Sequence, residues 1–361
     1  MTRPALRVIV LIVNKIKRNE RYVHNELQGE CDMFAKDRNF DIICLGRLGV
    51  DLNCNDHNCE LYDVTSFSPT VGGSPANIAI GAAKLGAKVG FIGRVSDDKF
   101  GTFVLKKLAE FSVDTQGVHR DDRGAKNCLA ITEIISPKKS GSILYRDNVA
   151  DLNLTYKDID ENYISQTKVL LVSGTALAAS PSREAVFLAA YYAKAHGVFV
   201  ALDLDYRAYT WTCPEESSLY YRMFCEKCDC VIGNEDEIKV LEQLWYKDAA
   251  FDGDTSAKRL LAAGAKLVII KYGEDGSVAY TQDGQRERCG IYPADLKKTF
   301  GSGDAYAAGL LTGLTHGKSL FDSMADGSAA ASIVVSRYSC SEASPYAKEL
   351  EEYMASHTMR M

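Results

Sequence analysis

The sequence predicts an α/β protein, a mostly parallel sheet with helices on both faces and a small β lid. Three observations lead there. From residue 169 onward, short apolar runs of strand length alternate with helical stretches, the mark of repeated βα units feeding a parallel sheet. Residues 40–45 form an apolar run of strand length near the start of the ordered pattern. The segments 53–70 and 128–145 differ from the rest: they alternate like a solvent-facing sheet, and they are expected to form the lid over the strand ends.

Each element follows from local chemistry. The strand at 40–45 ends in Gly46-Arg47-Leu48-Gly49-Val50-Asp51. Gly72-Gly73-Ser74-Pro75-Ala76-Asn77 opens a helix to about residue 85, proline being tolerated in a first turn. A strand at 89–92 and a helix at 103–111 follow. Alternation over 128–145, interrupted by Pro137-Lys138-Lys139-Ser140-Gly141, predicts a hairpin. Strands at 169–172, 198–202, 230–232, 267–270 and 277–280 then interleave with helices at 182–195, around 217–225 and at 235–244. Residues 305–314 are apolar on nearly every face, which predicts a buried helix. Residues 1–39 look polar and aperiodic apart from a short apolar run at 8–13. They read as an extension outside the core, with Met33 as the natural start. The domain proper is expected at 40–345 and a tail at 346–361.

Composition narrows the function. The 361 residues are 46% hydrophobic and 25% charged, ordinary for a soluble globular protein with one large core and a minor subdomain. A net charge of -6 without a dense basic block argues against a broad nucleic-acid surface. The apolar run at 8–13 is far shorter than the ~20 residues of a membrane helix, so no membrane partner is expected. Eleven cysteines at irregular spacing fit reduced thiols and a cytoplasmic location. Neither Cys225-x-x-Cys228-x-Cys230 nor Cys54-x-x-His57-x-Cys59 completes a four-ligand zinc set.

The most informative stretch is Thr299-Phe300-Gly301-Ser302-Gly303-Asp304. It places a glycine turn at the N-terminus of the buried helix, where unpaired N–H groups and the helix dipole attract an anion. A carboxylate there would repel a phosphate. Asp304 makes sense as a base that takes a proton from a hydroxyl while Gly301, Ser302 and Gly303 hold charge on a phosphoryl group. Plain helix capping is the competing reading. At 72–77 the bland reading is a strand–helix turn. The functional one lets a substrate approach Gly72 and Gly73 closely while Asn77 bonds a hydroxyl. Asn234-x-x-Glu237 sits at a strand's carboxyl end, where ligands bind in open α/β sheets. Glu237 is a candidate to hold Mg²⁺ through waters, against the alternative of a solvated helix-start glutamate. Lys271-Tyr272-Gly273-Glu274-Asp275-Gly276 is either a hairpin turn or a loop flanking a nucleotide. Arg146 and Arg207 follow strand-like runs beside aspartates. Each is either a structural ion pair or a guanidinium fork for a substrate carboxylate. Gly317-Lys318-Ser319 imitates the end of a P-loop, but the preceding glycine is one residue too close and a helix precedes it.

Taken together, the two glycine turns, in order, resemble those of the ribokinase-like family of carbohydrate kinases. The first continues from Gly72 through Gly86 into Gly93-Arg94-Val95-Ser96-Asp97 and Gly101, and the second is Gly301-Ser302-Gly303-Asp304. The resemblance covers about residues 40–345. It implies a Rossmann-like three-layer α/β/α sandwich with a β-sheet lid that often serves as a homodimer clasp, and it implies ATP and Mg²⁺. It assigns Asp304 as base and Gly301, Ser302 and Gly303 as anion hole. It makes Asp51, Gly72, Gly73 and Asn77 sugar contacts, and matches Asn234 and Glu237 to an element linked to Mg²⁺ and phosphate. Lys271, Gly273 and Gly276 fall beside the nucleotide. Runs at 41–47, 173–177, 205–211 and 328–335 narrow the resemblance to a sugar-acid kinase, with Arg146 and Arg207 facing the acid. A related sugar-acid kinase, a fructose kinase, or a catalytically silent sugar-binding regulator on the same fold are the alternatives. One departure concerns cations. Many relatives carry an aspartate three residues before the first anion-hole glycine, and it helps hold a monovalent ion. This chain has Lys298, which leaves potassium activation open.

Overall fold

The computed structural model describes residues 33–247 and 250–361. Residues 1–32, most of the expected extension, lie outside the described residues. Lys36–Met361 form one compact unit. Its frame is a nine-stranded sheet made of β1 (Phe40–Leu45), β4 (Val89–Val95), β5 (Asp114–Arg120), β8 (Thr167–Ser173), β9 (Phe199–Asp203), β10 (Cys230–Asn234), β11 (Leu267–Lys271), β12 (Ser277–Thr281) and β13 (Arg286–Cys289). The order is β13-β12-β11-β10-β9-β8-β1-β4-β5. The run from β11 to β5 is parallel, whereas β12 and β13 close one edge antiparallel. The central strands are buried on both faces, and Ile42 to Leu45, like Val169 to Val172, have no exposed surface. This explains why they read as continuous apolar runs rather than alternating ones.

Helices cover the faces: α1 (Ser74–Lys84), α2 (Lys99–Glu110), α3 (Glu161–Ile164), α4 (Ser182–Ala195), α5 (Pro214–Cys225), α6 (Glu235–Tyr246), α7 (Gly253–Ala262), α8 (Ser302–Thr315), α9 (Leu320–Val335) and α10 (Ala347–Ser356). Helix α8 packs against both α1 and α9, and every residue from Ala305 to Thr315 is buried. That environment matches its all-round apolar sequence.

The lid is a separate four-stranded sheet in the order β3-β2-β6-β7. The hairpin β6 (Cys128–Ser136) and β7 (Lys139–Tyr145) falls within the expected 128–145. The other half departs from expectation. Its strands β2 (Gly49–Cys54) and β3 (Phe67–Gly72) flank the segment 53–70 rather than fill it. The intervening loop is organised by Asp56, whose Oδ2 accepts from Thr65 N, Thr65 Oγ1 and Ser66 N. Such side-chain-to-backbone bonds compete with a ladder.

Several elements escape the sequence reading. Strand β5 is polar because it is an edge with one neighbour. Strand β13 and helices α3, α7 and α9 lie beyond the elements read from pattern. The segment 346–361, expected as a tail, carries α10. Its Leu350 is buried, with Tyr353, Met354 and Met359 packed against the same cluster, and Arg360 bridges to Ile291. The P-loop imitation at 317–319 is the turn between α8 and α9. There Lys318 pairs with Asp326 at 2.7 Å and Ser319 caps α9.

Candidate active site

The carboxyl ends of β1, β8, β9, β10 and β11 meet the N-termini of α1 and α8. Strand order reverses at β1, with β4 on one side and β8 on the other, and such reversals open a crevice at the strand ends.

Helix α8 begins at Gly301, which has φ +83°, a left-handed conformation that only glycine adopts without strain. No side chain caps this helix. Five other helices are capped: Asp98, Asp160, Asn234, Asp252 and Ser319 each accept backbone N–H bonds at their own helix starts. The N–H groups of the first α8 turn have no intrahelical acceptor, and they point out of the helix start beside Asp304. Lys271 completes this corner. A Cβ on Gly303 would lie 3.2 Å from Lys271 Nζ, so the ammonium stands over the turn.

Asp304 accepts a hydrogen bond from Asn77 Nδ2 at 2.7 Å. Withdrawal from water raises its proton affinity and the Asp205 carboxylate adds to this, while Asn77, Arg207 and Ser74 oppose it. Asn77 is buried, and its Oδ1 has no partner. It therefore orients the base and keeps one free acceptor. Asp51 and Gly72 form a tight pair. A Cβ on Gly72 would sit 1.8 Å from Asp51 Oδ1, so only glycine leaves room for that carboxylate. Burial pushes Asp51 up to about 6, with Asp304 adding and Arg47 opposing. Gly73 has φ +107°, and a Cβ there would strike the Arg47 carbonyl oxygen at 2.4 Å.

The arginines are anchored. Arg146 Nη2 donates to Asp151 Oδ2 at 2.5 Å and to the Thr175 carbonyl at 3.1 Å. Its side chain is only 4% exposed, yet Nε and Nη1 have no partner. Arg207 pairs with Asp205 at 2.6 Å and is partly exposed. Asp205 itself takes a positive φ of 38°, which turns the chain after β9 so that both Asp203 and Asp205 are buried at the strand end. Asp203 lies 3.5 Å from Lys271 Nζ, and Ser74 Oγ donates to it at 3.4 Å. Burial pushes Asp203 up to about 7, opposed by Lys271 and reinforced by Glu237, Asp205 and Asp304.

Asn234 and Glu237 form a capping box. Asn234 Oδ1 accepts from Glu237 N at 2.9 Å, and Glu237 Oε2 accepts from Asn234 N at 2.8 Å. Glu237 Oε1 also accepts from Tyr206 N. The glutamate is thus buried and tied to backbone rather than solvated, with lone pairs left for water. Asn234, Lys271 and Gly273 line one open groove of about 280 Å³ with Glu235, Asp236 and Tyr272. Gly276 is not a lining residue of this groove. Its φ of +83° and the Cys289 carbonyl, 2.2 Å from a notional Cβ, give it a structural reason to be glycine. Mg²⁺ keeps most of its waters and needs few protein oxygens, so a groove bordered by Asn234, Glu235 and Asp236 fits it; Glu237 is not one of the groove's lining residues, its carboxylate being tied to Asn234 N and Tyr206 N. Among the described residues no three His, Cys, Asp or Glu side chains cluster as a direct metal site.

Sequence reading gave no role to Asp203, Asp205 or Arg47. Asp-x-Asp at the end of β9 was the available signal. Lys298 is fully buried, and its Nζ donates to the Phe300 carbonyl at 2.5 Å beneath the Gly301 turn. Burial lowers its proton affinity, with Cys340, Asp304 and Asp51 opposing.

Comparisons with known proteins give the chain's family and fold. A 5-dehydro-2-deoxygluconokinase from Geobacillus thermodenitrificans is 49% identical over 321 residues, 89% of this chain and 95% of that protein. One from Bacillus thuringiensis is 48% identical over 322 residues, covering 89% and 97%. Among solved structures, a fructokinase with bound ATP from Xylella fastidiosa superposes with TM-score 0.78 at 22% identity, covering 87% of this chain and 98% of that one. A candidate ribokinase II from E. coli, in complex with ATP and Mg²⁺, gives 0.79 at 21% identity, covering 88% and 100%. These structural likenesses show the fold. The family model for pfkB carbohydrate kinases matches residues 39–347, and with that match the chain belongs to the pfkB family of carbohydrate kinases.

Proposed function

We propose that this kinase transfers the γ-phosphoryl group of ATP to the 6-hydroxyl of 5-dehydro-2-deoxy-D-gluconate. The observation that carries the reading is Asp304 beside the uncapped start of α8. A proton acceptor and a set of free N–H donors face the same space. The sugar hydroxyl gives its proton to Asp304, and its oxygen attacks phosphorus. Charge building on the transferring group is met by the N–H groups of Ser302 and Gly303 and by Lys271. These groups are already in place, so they need little reorganisation during reaction. Mg²⁺, when bound, supplies charge neutralisation on the phosphates, with Asn234 and Glu237 holding its waters. ATP is assigned to the groove at Asn234, Lys271 and Gly273.

The acceptor end supports a sugar acid. Asp51, Gly72, Gly73 and Asn77 border the space beside Asp304, and Arg146 and Arg207 bring guanidinium groups to it. The relatives at 48–49% identity carry the name of this sugar-acid kinase. A second copy is assigned to the lid, whose edge strand β7 exposes Ile143 and Tyr145. The ten described cysteines are free, and we place the enzyme in the reducing cytoplasm. The test is coupled detection of ADP release with purified protein and a panel of 5-dehydro-2-deoxygluconate, 2-keto-3-deoxygluconate, fructose and ribose. The first should give the highest kcat/KM. Equal or greater turnover of fructose would overturn the substrate assignment, and no turnover of any member would overturn the catalytic one.

A further inference from the structure

We infer that Arg47 is a further specificity-determining residue, whose guanidinium binds the carboxylate of the acid substrate together with Arg146. This rests on the sugar-acid reading above and adds a residue to it. Arg146, Arg207 and Lys271 each sit against a carboxylate, Asp151, Asp205 and Asp203 respectively. Arg47 does not. It is 6% exposed, and its only hydrogen-bond acceptor among the described residues is the Cys128 thiol sulfur at 3.6 Å. Its Nε has no partner at all. Asp51, Asp151 and Asp205 act on its charge without touching it, and neutral sulfur is a weak acceptor, so a buried donor is left without an acceptor in contact.

The location points to the missing acceptor. Arg47 ends the turn after β1, and its Cγ lies 3.5 Å from a notional Cβ on Gly73, at the mouth of α1. The charges of Arg47, Arg207 and Arg146 all act on the Tyr209 phenol, and those of Arg47 and Arg146 both act on Cys128. The three guanidinium groups therefore border one space. Between them, Arg47 and Arg146 leave Nε of the first and Nε and Nη1 of the second without acceptors. A carboxylate has two oxygens and room for several such bonds. A neutral hydroxyl would satisfy one donor, whereas a carboxylate can satisfy several and adds charge-assisted bonds.

The experiment compares wild type, Arg47→Met and Arg47→Lys on the sugar acid and on its primary carboxamide, with thermal unfolding of each protein with and without the acid. Arg47→Met should raise KM for the acid about 10- to 100-fold, the effect of losing hydrogen bonds to a charged group. Its kcat and its KM for the amide should change less than about threefold. Arg47→Lys should recover part of the acid preference. Without ligand, Arg47→Met should still fold and unfold cooperatively, because no carboxylate is in contact with the guanidinium. Its stabilisation by the acid should shrink. A wild type indifferent between acid and amide would overturn the sugar-acid reading, and this inference with it. An acid-selective wild type whose Arg47→Met variant loses both substrates equally would overturn the role of Arg47 alone. So would a variant that fails to fold, since that assigns Arg47 to structure.

Discussion

Asp304→Asn tests the catalytic core most directly. The substitution keeps shape and leaves Asn77 a carbonyl to donate to, so the 2.7 Å contact survives. It removes the ability to accept a proton. Positioned general bases contribute about 10²–10⁴ in rate, which is about 3–5 kcal/mol at 1.36 kcal/mol per decade. The expected outcome is a fall in kcat of at least ~10²-fold, read by coupled ADP release. ATP affinity, measured by titration calorimetry, should hold, because the groove at Asn234, Lys271 and Gly273 does not include residue 304. The environment adds a second signature. Asp304 is a source of repulsion that raises Asp203 and Asp51. Its neutralisation should leave the ligand-free protein as stable as wild type or more so. The raised proton affinity of Asp304 should also appear as an acidic limb in the wild-type kcat/KM profile, with activity lost as the carboxylate takes up its proton, and that limb should vanish in the variant. Turnover within tenfold of wild type, or a stable variant that has lost ATP binding, would refute the assignment of Asp304 as base.

Three further outcomes follow from the same geometry. Arg146→Ala should raise KM for the acid substrate far more than for a neutral sugar. It should also lower stability by about 3 kcal/mol, because buried Asp151 loses its partner; adding Asp151→Asn should restore much of that stability in denaturant titration. Gly72→Ala should abolish activity or lower sugar affinity at least tenfold in binding assays, because the new Cβ occupies the position of Asp51 Oδ1. Finally, the ligand-free protein should be more stable at pH 5.5 than at pH 8. Asp51 and Asp203 bind protons more tightly folded than unfolded, so their stabilising contribution is complete below about 3.8 and is lost as pH rises through about 6 and about 7. The gain is on the order of 1–3 kcal/mol, or several degrees in Tm, and a scanning fluorimetry profile that falls from pH 8 to pH 5.5 would contradict it.

What the sequence revealed follows the strength of its physical signals. The central strands and α8 are buried on all sides, so composition alone marked them, and α4 matches its expected range of Ser182–Ala195. The glycine turns were legible because only glycine tolerates φ +83° at Gly301 or the closeness of Asp51 to Gly72. Strand β5 was hidden because an edge needs little apolar surface. The lid strands β2 and β3 were displaced outward because polar residues at 55–66 prefer local bonds to Asp56. The local pairs were within reach of the sequence, the more distant ones were not. Arg207 pairs with Asp205 two residues away and Glu237 closes a capping box with Asn234, whereas nothing local says that Arg146 reaches the Thr175 carbonyl or that Glu237 accepts from Tyr206 N. Those last partners come from different segments and meet only because parallel strands end at one level.

That convergence explains the electrostatics of the site. Asp51, Asp151, Asp203, Asp205, Glu237 and Asp304 gather there with Arg47, Arg146, Arg207, Lys271 and Lys298, and the pairing is collective rather than one to one. Arg47 has no carboxylate in contact, and Asp51 and Asp304 have no cation in contact. Burial pushes Asp51 up to about 6 and Asp203 up to about 7. Such an arrangement is poor for stability and useful for phosphoryl transfer. The acceptor and the nucleotide both bring negative charge, and the groups that lack partners are those the reactants can satisfy. On the proposed assignment a carboxylate completes Arg47 and Arg146, a hydroxyl completes Asp304 and Asn77, and phosphate oxygens complete Lys271 and the first turn of α8. Occupation by one ligand alone leaves some of these groups unsatisfied. The site's full electrostatic complement is reached only with both ligands in place, the state in which transfer to sugar rather than to water is favoured.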